Sequence, residues 1–82
     1  MALVFSKGEW ITVSLPPDGE AWSFSDQLLY GSIWAYVTRE KHGDIEKANQ
    51  IAEAFVFKRL YPGMVFSKEL ESIIQSLLFD EA

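Results

Sequence analysis

The chain has 82 residues and a net charge of −5, with seven basic side chains, twelve acidic side chains and a single histidine. A chain of this length forms one domain, here residues 1–82, and buries only about 60–65% of its unfolded surface. With no cysteine and one histidine, disulfides, thiolate metal sites and imidazole-rich metal sites are excluded. The remaining sources of stability are oligomerisation and a core rich in the twelve aromatic side chains.

Residues 2–15, ALVFSKGEWITVSL, predict a β-hairpin whose two-residue turn is Lys7-Gly8, with the glycine supplying a positive φ. This register places Phe5 opposite Trp10 on one face. The other expected pairs are Leu3 with Thr12 on the same face, and Val4 with Ile11 and Ala2 with Val13 on the opposite face. Both faces are largely apolar, so we expect each of them to be covered at least in part.

The segment after the hairpin is rich in residues that reverse the chain direction. Residues 16–19, PPDG, predict a turn, because proline fixes φ and Asp-Gly closes the reversal. Residues 20–24, EAWSF, then alternate in polarity and place Trp22 and Phe24 on one side. This alternation predicts a third short antiparallel strand.

Three α-helices are predicted next, each preceded by a side chain that can cap its first turn. Their ranges and caps are about 26–42 after Ser25, 45–61 after Asp44 and 68–79 after Ser67. Gly43 is the expected left-handed residue after the first helix, and Pro62-Gly63 ends the second. The predicted fold class is therefore α+β, a small antiparallel sheet followed by three helices.

The first helix has apolar residues on two sides, and Gly31 lies in its groove of small residues. Glycine inside a helix costs about 1 kcal/mol relative to alanine, so its presence indicates a close approach by another element. We expect that element to be the second helix, at Ala48 and Ala52. The first helix would then be the central element of the domain.

The second helix also carries apolar residues on two sides. Its main arc contains Ile45, Ala48, Ile51, Ala52, Phe55 and Val56. Ala54, Phe57 and Tyr61 fall on the opposite side, at positions i, i+3 and i+7. Two alternatives follow: the sheet or the return segment 64–66 covers this second side, or a second chain does.

The sequence contains no pattern that predicts catalysis. His42 is the only imidazole and lies near a helix end, where a cation is favoured by the helix dipole. The acidic pairs are expected to be solvated charges: Asp18 with Glu20, Glu69 with Glu71, and Asp80 with Glu81. We therefore predict a non-enzymatic protein without a cofactor or a metal.

The charge pattern argues against nucleic acid and membrane surfaces as direct ligands. Basic residues cluster only at Lys58-Arg59, whereas phosphate binding needs a basic stripe. We expect Arg59 to pair with an acid or to cover apolar surface with its stem. No signal peptide or membrane span is predicted, so the expected location is cytoplasmic.

These properties fit a broad class of small phage or bacterial proteins: inhibitors, anti-CRISPR proteins and toxin-immunity proteins. The predicted function is an interaction module that binds and blocks or modulates a protein partner, and the negative charge favours a basic one. The alternatives are a structural subunit of a homo-oligomer and an accessory subunit of an enzyme. The candidate partner-binding residues are Phe57, Tyr61, Ala54, Phe5 and Trp10.

Overall fold

The fold is the predicted α+β arrangement, seen in a computed structural model that describes residues 1–79. A two-stranded antiparallel sheet precedes three helices. The elements are β1 (Ala2–Ser6), β2 (Glu9–Val13), a 3-10 helix (Pro17–Ala21), α1 (Phe24–Ala35), α2 (Ile45–Leu60) and α3 (Lys68–Ile74). Two π-helical turns, Tyr36–Glu40 and Gln75–Phe79, extend α1 and α3. The acidic pair Asp80 and Glu81 lies outside the described residues.

The hairpin has the predicted register, with Phe5 opposite Trp10 and Val4 opposite Ile11. Lys7 and Gly8 form its turn with φ of 48° and 81°. Two positive φ values in a two-residue loop match the right-handed twist of the flanking strands, which is why such turns close hairpins. The local sequence therefore determines this element.

The predicted third strand is wrong: Pro17–Ala21 is a 3-10 helix, and the sheet formed by residues 1–79 has two strands. Proline fits the first turn of a helix because it has no N–H to leave unpaired. The amide of Gly19 donates to the carbonyl of Pro16 at 2.8 Å, and that of Trp22 donates to the carbonyl of Gly19 at 3.1 Å. The second bond uses the amide of Trp22, and Phe24 already belongs to α1, so residues 20–24 do not form a strand.

The first helix begins two residues earlier than predicted, and its cap is Ser23 rather than Ser25. The Ser23 hydroxyl accepts a hydrogen bond from the amide of Asp26 at 3.2 Å. Ser23 has the extended backbone that a capping residue needs, whereas Ser25 already lies within the first turn. The Ser25 hydroxyl instead accepts a hydrogen bond from Arg59 of α2 at 3.1 Å.

The end of the first helix also differs from the prediction, since the helical segment stops at Glu40 and the left-handed residue is His42, with φ of 57°. The amide of Gly43 donates a hydrogen bond to the carbonyl of Val37 at 2.8 Å. A Cβ on Gly43 would lie 2.6 Å from Cγ1 of Val37. The glycine is therefore required for space and not for a positive φ.

Helix α1 is the central element, packed against the hairpin on one side and against α2 on another. Gly31 makes its close approach to the hairpin, not to α2 as predicted: an added Cβ would lie 2.8 Å from Cγ1 of Val4. Contact with α2 runs instead through Ala35, which shares a buried cluster with Ala52. The glycine thus serves the helix–sheet contact.

Helix α2 keeps its predicted start, because the Asp44 carboxylate accepts a hydrogen bond from the amide of Lys47 at 2.8 Å. Its core face joins a second buried cluster, in which Ile51 packs with Val37 and with Ile74 of α3. Ile45, expected in the core arc, is exposed instead. The capping of α3 by Ser67 is as predicted, with the amide of Leu70 as the donor at 3.2 Å.

Candidate protein-interaction surface

An exposed aromatic surface is formed by the larger side chains of the hairpin together with Phe24 of α1 and Tyr36 of the π-helical turn that follows it. Phe5, Trp10 and Phe24 are 61%, 65% and 76% exposed, respectively. The rings of Phe5 and Trp10 meet edge to face with centroids 5.2 Å apart, a geometry that aromatic pairs favour. We call this surface the outer hairpin face; its members are Met1, Leu3, Phe5, Trp10, Phe24 and Tyr36, all exposed.

The outer hairpin face is continuous. Leu3, Trp10 and Phe24 line one depression of about 460 Å³ at the start of the hairpin. Phe5 and Tyr36 line a second depression, of about 280 Å³, near the hairpin turn. The contact between Phe5 and Trp10 joins the two depressions into one surface.

Strand alternation explains why the two sides of the hairpin differ. Ala2, Val4 and Val13 point toward α1 and are buried, because small and β-branched side chains fit the close contact at Gly31. The alternate positions carry the larger side chains. The outer face, which we expected to be covered at least in part, leaves Phe5 and Trp10 more than half exposed within residues 1–79.

The outer hairpin face exposes more apolar area than the isolated apolar side chains found on most protein surfaces. With roughly 150–250 Å² for each aromatic side chain, the exposed fractions of Phe5, Trp10 and Phe24 correspond to about 300–500 Å². The largest apolar patch on a typical monomer is about 300–600 Å² and is often functional. Since Met1, Leu3 and Tyr36 extend the surface, it approaches the roughly 800 Å² that each partner contributes to a standard interface.

Charges beside the outer hairpin face are largely paired. Glu9 forms an ion pair with Arg39, and Glu20 forms one with the amino group of Met1. The ammonium of Lys41 lies 5.7 Å from the ring centre of Tyr36. Acidic and basic groups are therefore nearly balanced here, and most of the excess negative charge lies elsewhere on the molecule.

The second side of α2, predicted as a candidate surface, is divided by the fold. Ala54 is buried, Phe57 is half-buried and Tyr61 is 63% exposed. The ring of Phe57 packs nearly perpendicular to that of Trp22, with centroids 6.2 Å apart, and Met64 of the return segment lines the same depression as Phe57. Trp22 belongs to the segment that was predicted as a strand, so the sequence pattern did not identify this cover.

The five predicted partner-binding residues therefore separate into groups. Phe5 and Trp10 form the centre of the outer hairpin face, whereas Phe57 and Tyr61 contact each other on α2 with ring centroids 6.5 Å apart. Ala54 is buried, so it cannot contact a partner. The prediction missed four members of the outer hairpin face: Met1, Leu3, Phe24 and Tyr36.

The missed residues had different signals in the sequence. Leu3 shares the strand alternation of Phe5 and could have been chosen with it. Phe24 was assigned to a strand, and Tyr36 lies within the predicted first helix, 26–42. Both reach the outer hairpin face only because α1 lies beneath the hairpin, and that placement is a tertiary contact.

The side chains that could take part in catalysis or metal binding form no common site within residues 1–79. His42 is exposed at the end of the first helical segment. Among residues 1–79, no group of three or more histidines and carboxylates is placed to hold a metal ion. The predicted pairing of Arg59 with an acid is confirmed, since its Nε lies 3.4 Å from the buried carboxylate of Asp26.

No helix within the described part of the chain has the length and apolar character needed to cross a membrane. In comparisons with protein-family models, curated proteins and solved structures, none matched the chain. The assignment of a function therefore depends on the geometry and chemistry of the surfaces described above.

Proposed function

We propose that this protein is a non-enzymatic interaction module that docks through its outer hairpin face on another protein and blocks or modulates it. The observation that supports the proposal is the continuous apolar surface of Met1, Leu3, Phe5, Trp10, Phe24 and Tyr36. Aromatic side chains of this kind commonly anchor protein interfaces. The cytoplasmic location expected from the sequence is part of the same proposal.

The rigidity of the surface favours binding. The hairpin is fixed from below, because Ala2, Val4 and Val13 are buried against α1. Phe5 and Trp10 also restrict each other through their edge-to-face contact. A surface that is already ordered loses little conformational entropy when a partner covers it, so more of the burial energy appears as affinity.

A homo-oligomer that uses the same face is the second candidate. The balanced charges beside the outer hairpin face favour it, because two copies could meet there without bringing their acidic surfaces together. A symmetric dimer would place the same face of both copies in one interface. The mass of the protein in solution separates this candidate from a foreign partner.

The test combines Phe5→Ser with Trp10→Ser and compares the double variant with Tyr61→Ser, a matched change of an exposed aromatic outside the face. Because all three side chains are largely exposed, both variants should keep the wild-type melting temperature within a few degrees. Light scattering gives the mass of each protein. Partners captured from the native host are then purified and titrated against each variant.

A foreign partner predicts a monomeric wild type and a purified complex that the double variant weakens at least tenfold, since central aromatic anchors are worth about 2 kcal/mol or more each. Tyr61→Ser should bind like the wild type. A dimeric wild type that the double variant converts to monomers would instead support the homo-oligomer. Full binding and an unchanged mass in the double variant would contradict both assignments of the outer hairpin face.

A further inference from the structure

A second cleft is lined by the segment after β2 and by residues of α1 and α2. This open cleft has a volume of about 500 Å³, within the range of about 300–1,000 Å³ that is typical of ligand sites. Apolar walls come from Leu15 and Pro16, and aromatic rings come from Tyr30 and Trp34 of α1. Asn49 and Glu53 of α2 supply the polar groups used below.

The amide of Asn49 is held in one orientation. Its Oδ1 accepts hydrogen bonds from the Tyr30 hydroxyl at 3.1 Å and from Nε1 of Trp34 at 2.9 Å. Tyr30 is fully buried, so its hydroxyl has a fixed position. Since both donors meet the same oxygen, the amide oxygen is saturated and the two N–H donors of Asn49 remain for another acceptor.

Glu53 follows Asn49 by one helical turn and is half-buried. Within residues 1–79, its carboxylate has no hydrogen-bond or ion-pair partner. Its neighbours three and four positions away on α2 are Asn49, Gln50, Val56 and Phe57, and none of them is a cation. A cation in the cleft would pair with this carboxylate and neutralise its charge.

The electrostatics of the cleft agree with this geometry. Burial raises the pKa of the Tyr30 hydroxyl, and the negative charge of Glu53 raises it further. The field of Glu53 therefore extends into the cleft, where a cation would be stabilised. The half-buried ring of Trp34 adds a π face, which attracts cations as well.

We propose that this cleft binds an arginine or lysine side chain of a partner polypeptide, with the cationic head on the carboxylate of Glu53. Its aliphatic stem would lie along Leu15 and Pro16. The free N–H donors of Asn49 would bind a backbone carbonyl of the same polypeptide, which is why a peptide fits better than a free amine. The cleft does not use the outer hairpin face, and its test is independent of the function proposed above.

The experiment titrates isotopically labelled protein with two capped pentapeptides, Ala-Leu-Arg-Leu-Ala and the same sequence with citrulline in place of arginine. Citrulline keeps the shape of arginine and removes its charge. Nuclear magnetic resonance follows the side-chain amide of Asn49 and the indole N–H of Trp34. Agmatine, which carries the guanidinium without a peptide backbone, is the third ligand.

The arginine peptide should give saturable shifts of both reporter groups, and the citrulline peptide should bind at least roughly tenfold more weakly, because a charge-assisted hydrogen bond is lost. Glu53→Gln should lose the same affinity. The matched control is Glu46→Gln, an exposed acid on the same helix outside the cleft, which should bind like the wild type. Melting temperatures confirm that both variants are folded.

Four results would overturn the proposal. Equal binding of the arginine and citrulline peptides would show that the cleft does not select a cation. Equal affinities for Glu53→Gln and Glu46→Gln, or no saturation by about 10 mM peptide, would remove the site. If agmatine binds as tightly as the arginine peptide, the ligand is a free amine and the assignment of Asn49 to a peptide carbonyl is wrong.

Discussion

The substitution Gly31→Ala in α1 has two opposing effects on the free energy of unfolding: a gain in helix propensity and a loss from tighter packing. Alanine is the better helix former by about 1 kcal/mol in a helix interior. Its Cβ, however, would lie 2.8 Å from Cγ1 of Val4 and 3.2 Å from Cβ of Ala2, both on the buried face of the hairpin. Val4 is β-branched and has few rotamers to adopt, so the strand itself would have to move.

The packing effect should be the larger of the two. Overpacking a filled core costs typically about 1–3 kcal/mol, which leaves a net loss near 1 kcal/mol once the helix gain is subtracted. For a domain of this size, a loss of about 1 kcal/mol lowers the melting temperature by roughly 4–8 °C. Gly31→Leu adds three more carbons at the same contact and should be more damaging.

Thermal unfolding followed by circular dichroism measures the effect. Ser32→Ala is the matched control, because Ser32 is the next residue of α1 and is exposed. That variant gains helix propensity without a new contact and should melt at or slightly above the wild-type temperature. If Gly31→Ala also melts at or above the wild-type temperature, the helix and hairpin are not in the close contact described.

A double-mutant cycle identifies the contact itself. Val4→Ala removes the methyl group that an added Cβ at Gly31 would meet, so Gly31→Ala should become neutral or stabilising in that background. The expected interaction energy lies in the range of about 0.5–3 kcal/mol that is typical of residues in contact. Equal costs of Gly31→Ala in both backgrounds would refute the reasoning.

The remaining predictions concern aromatic side chains. Phe57→Ser should lower the melting temperature by several degrees, because it removes the ring that packs on Trp22. Tyr61→Ser should leave the melting temperature nearly unchanged, because Tyr61 is exposed. Equal effects of the two substitutions would contradict the assigned burial. The pKa of Tyr30 is raised in the folded state above its ordinary value of 10.0, so the stability that depends on its proton is complete below about pH 10 and is lost as the pH rises through the folded-state pKa. Chemical denaturation from pH 8 to pH 11 should therefore show a smaller alkaline loss of stability for Tyr30→Phe, and parallel losses in the two proteins would refute this assignment.

Elements with strong local signals were predictable from the sequence. The Lys7-Gly8 turn determines the hairpin register, because the loop length and the positive φ values leave one pairing of the flanking strands. Asp44 and Ser67 determine where α2 and α3 begin, since each side chain bonds a backbone amide of its own first turn. The α+β class follows from the order of these elements.

Local signals failed where two of them compete within a few residues. Ser23 and Ser25 are both suitable caps, and the choice depends on the 3-10 helix before them, which brings the chain to Ser23 in an extended conformation. The alternation of residues 20–24 resembles a strand, yet a strand needs a neighbour with free backbone groups. The amide of Trp22 is already bonded locally and Phe24 begins α1, so no strand forms there.

The residues of the candidate interaction surface were likewise only partly predictable from the sequence. Composition and periodicity showed that the chain has more apolar side chains than a single core needs. Strand alternation placed Phe5 and Trp10 on one face. Only the tertiary structure decided which excess remains exposed: α1 covers the small side chains of the hairpin and Trp22 packs on Phe57, while the outer hairpin face has no cover within residues 1–79. The physical reason is that periodicity shows which side chains share a face, whereas burial depends on which element packs against that face, and this follows from contacts between residues far apart in the chain.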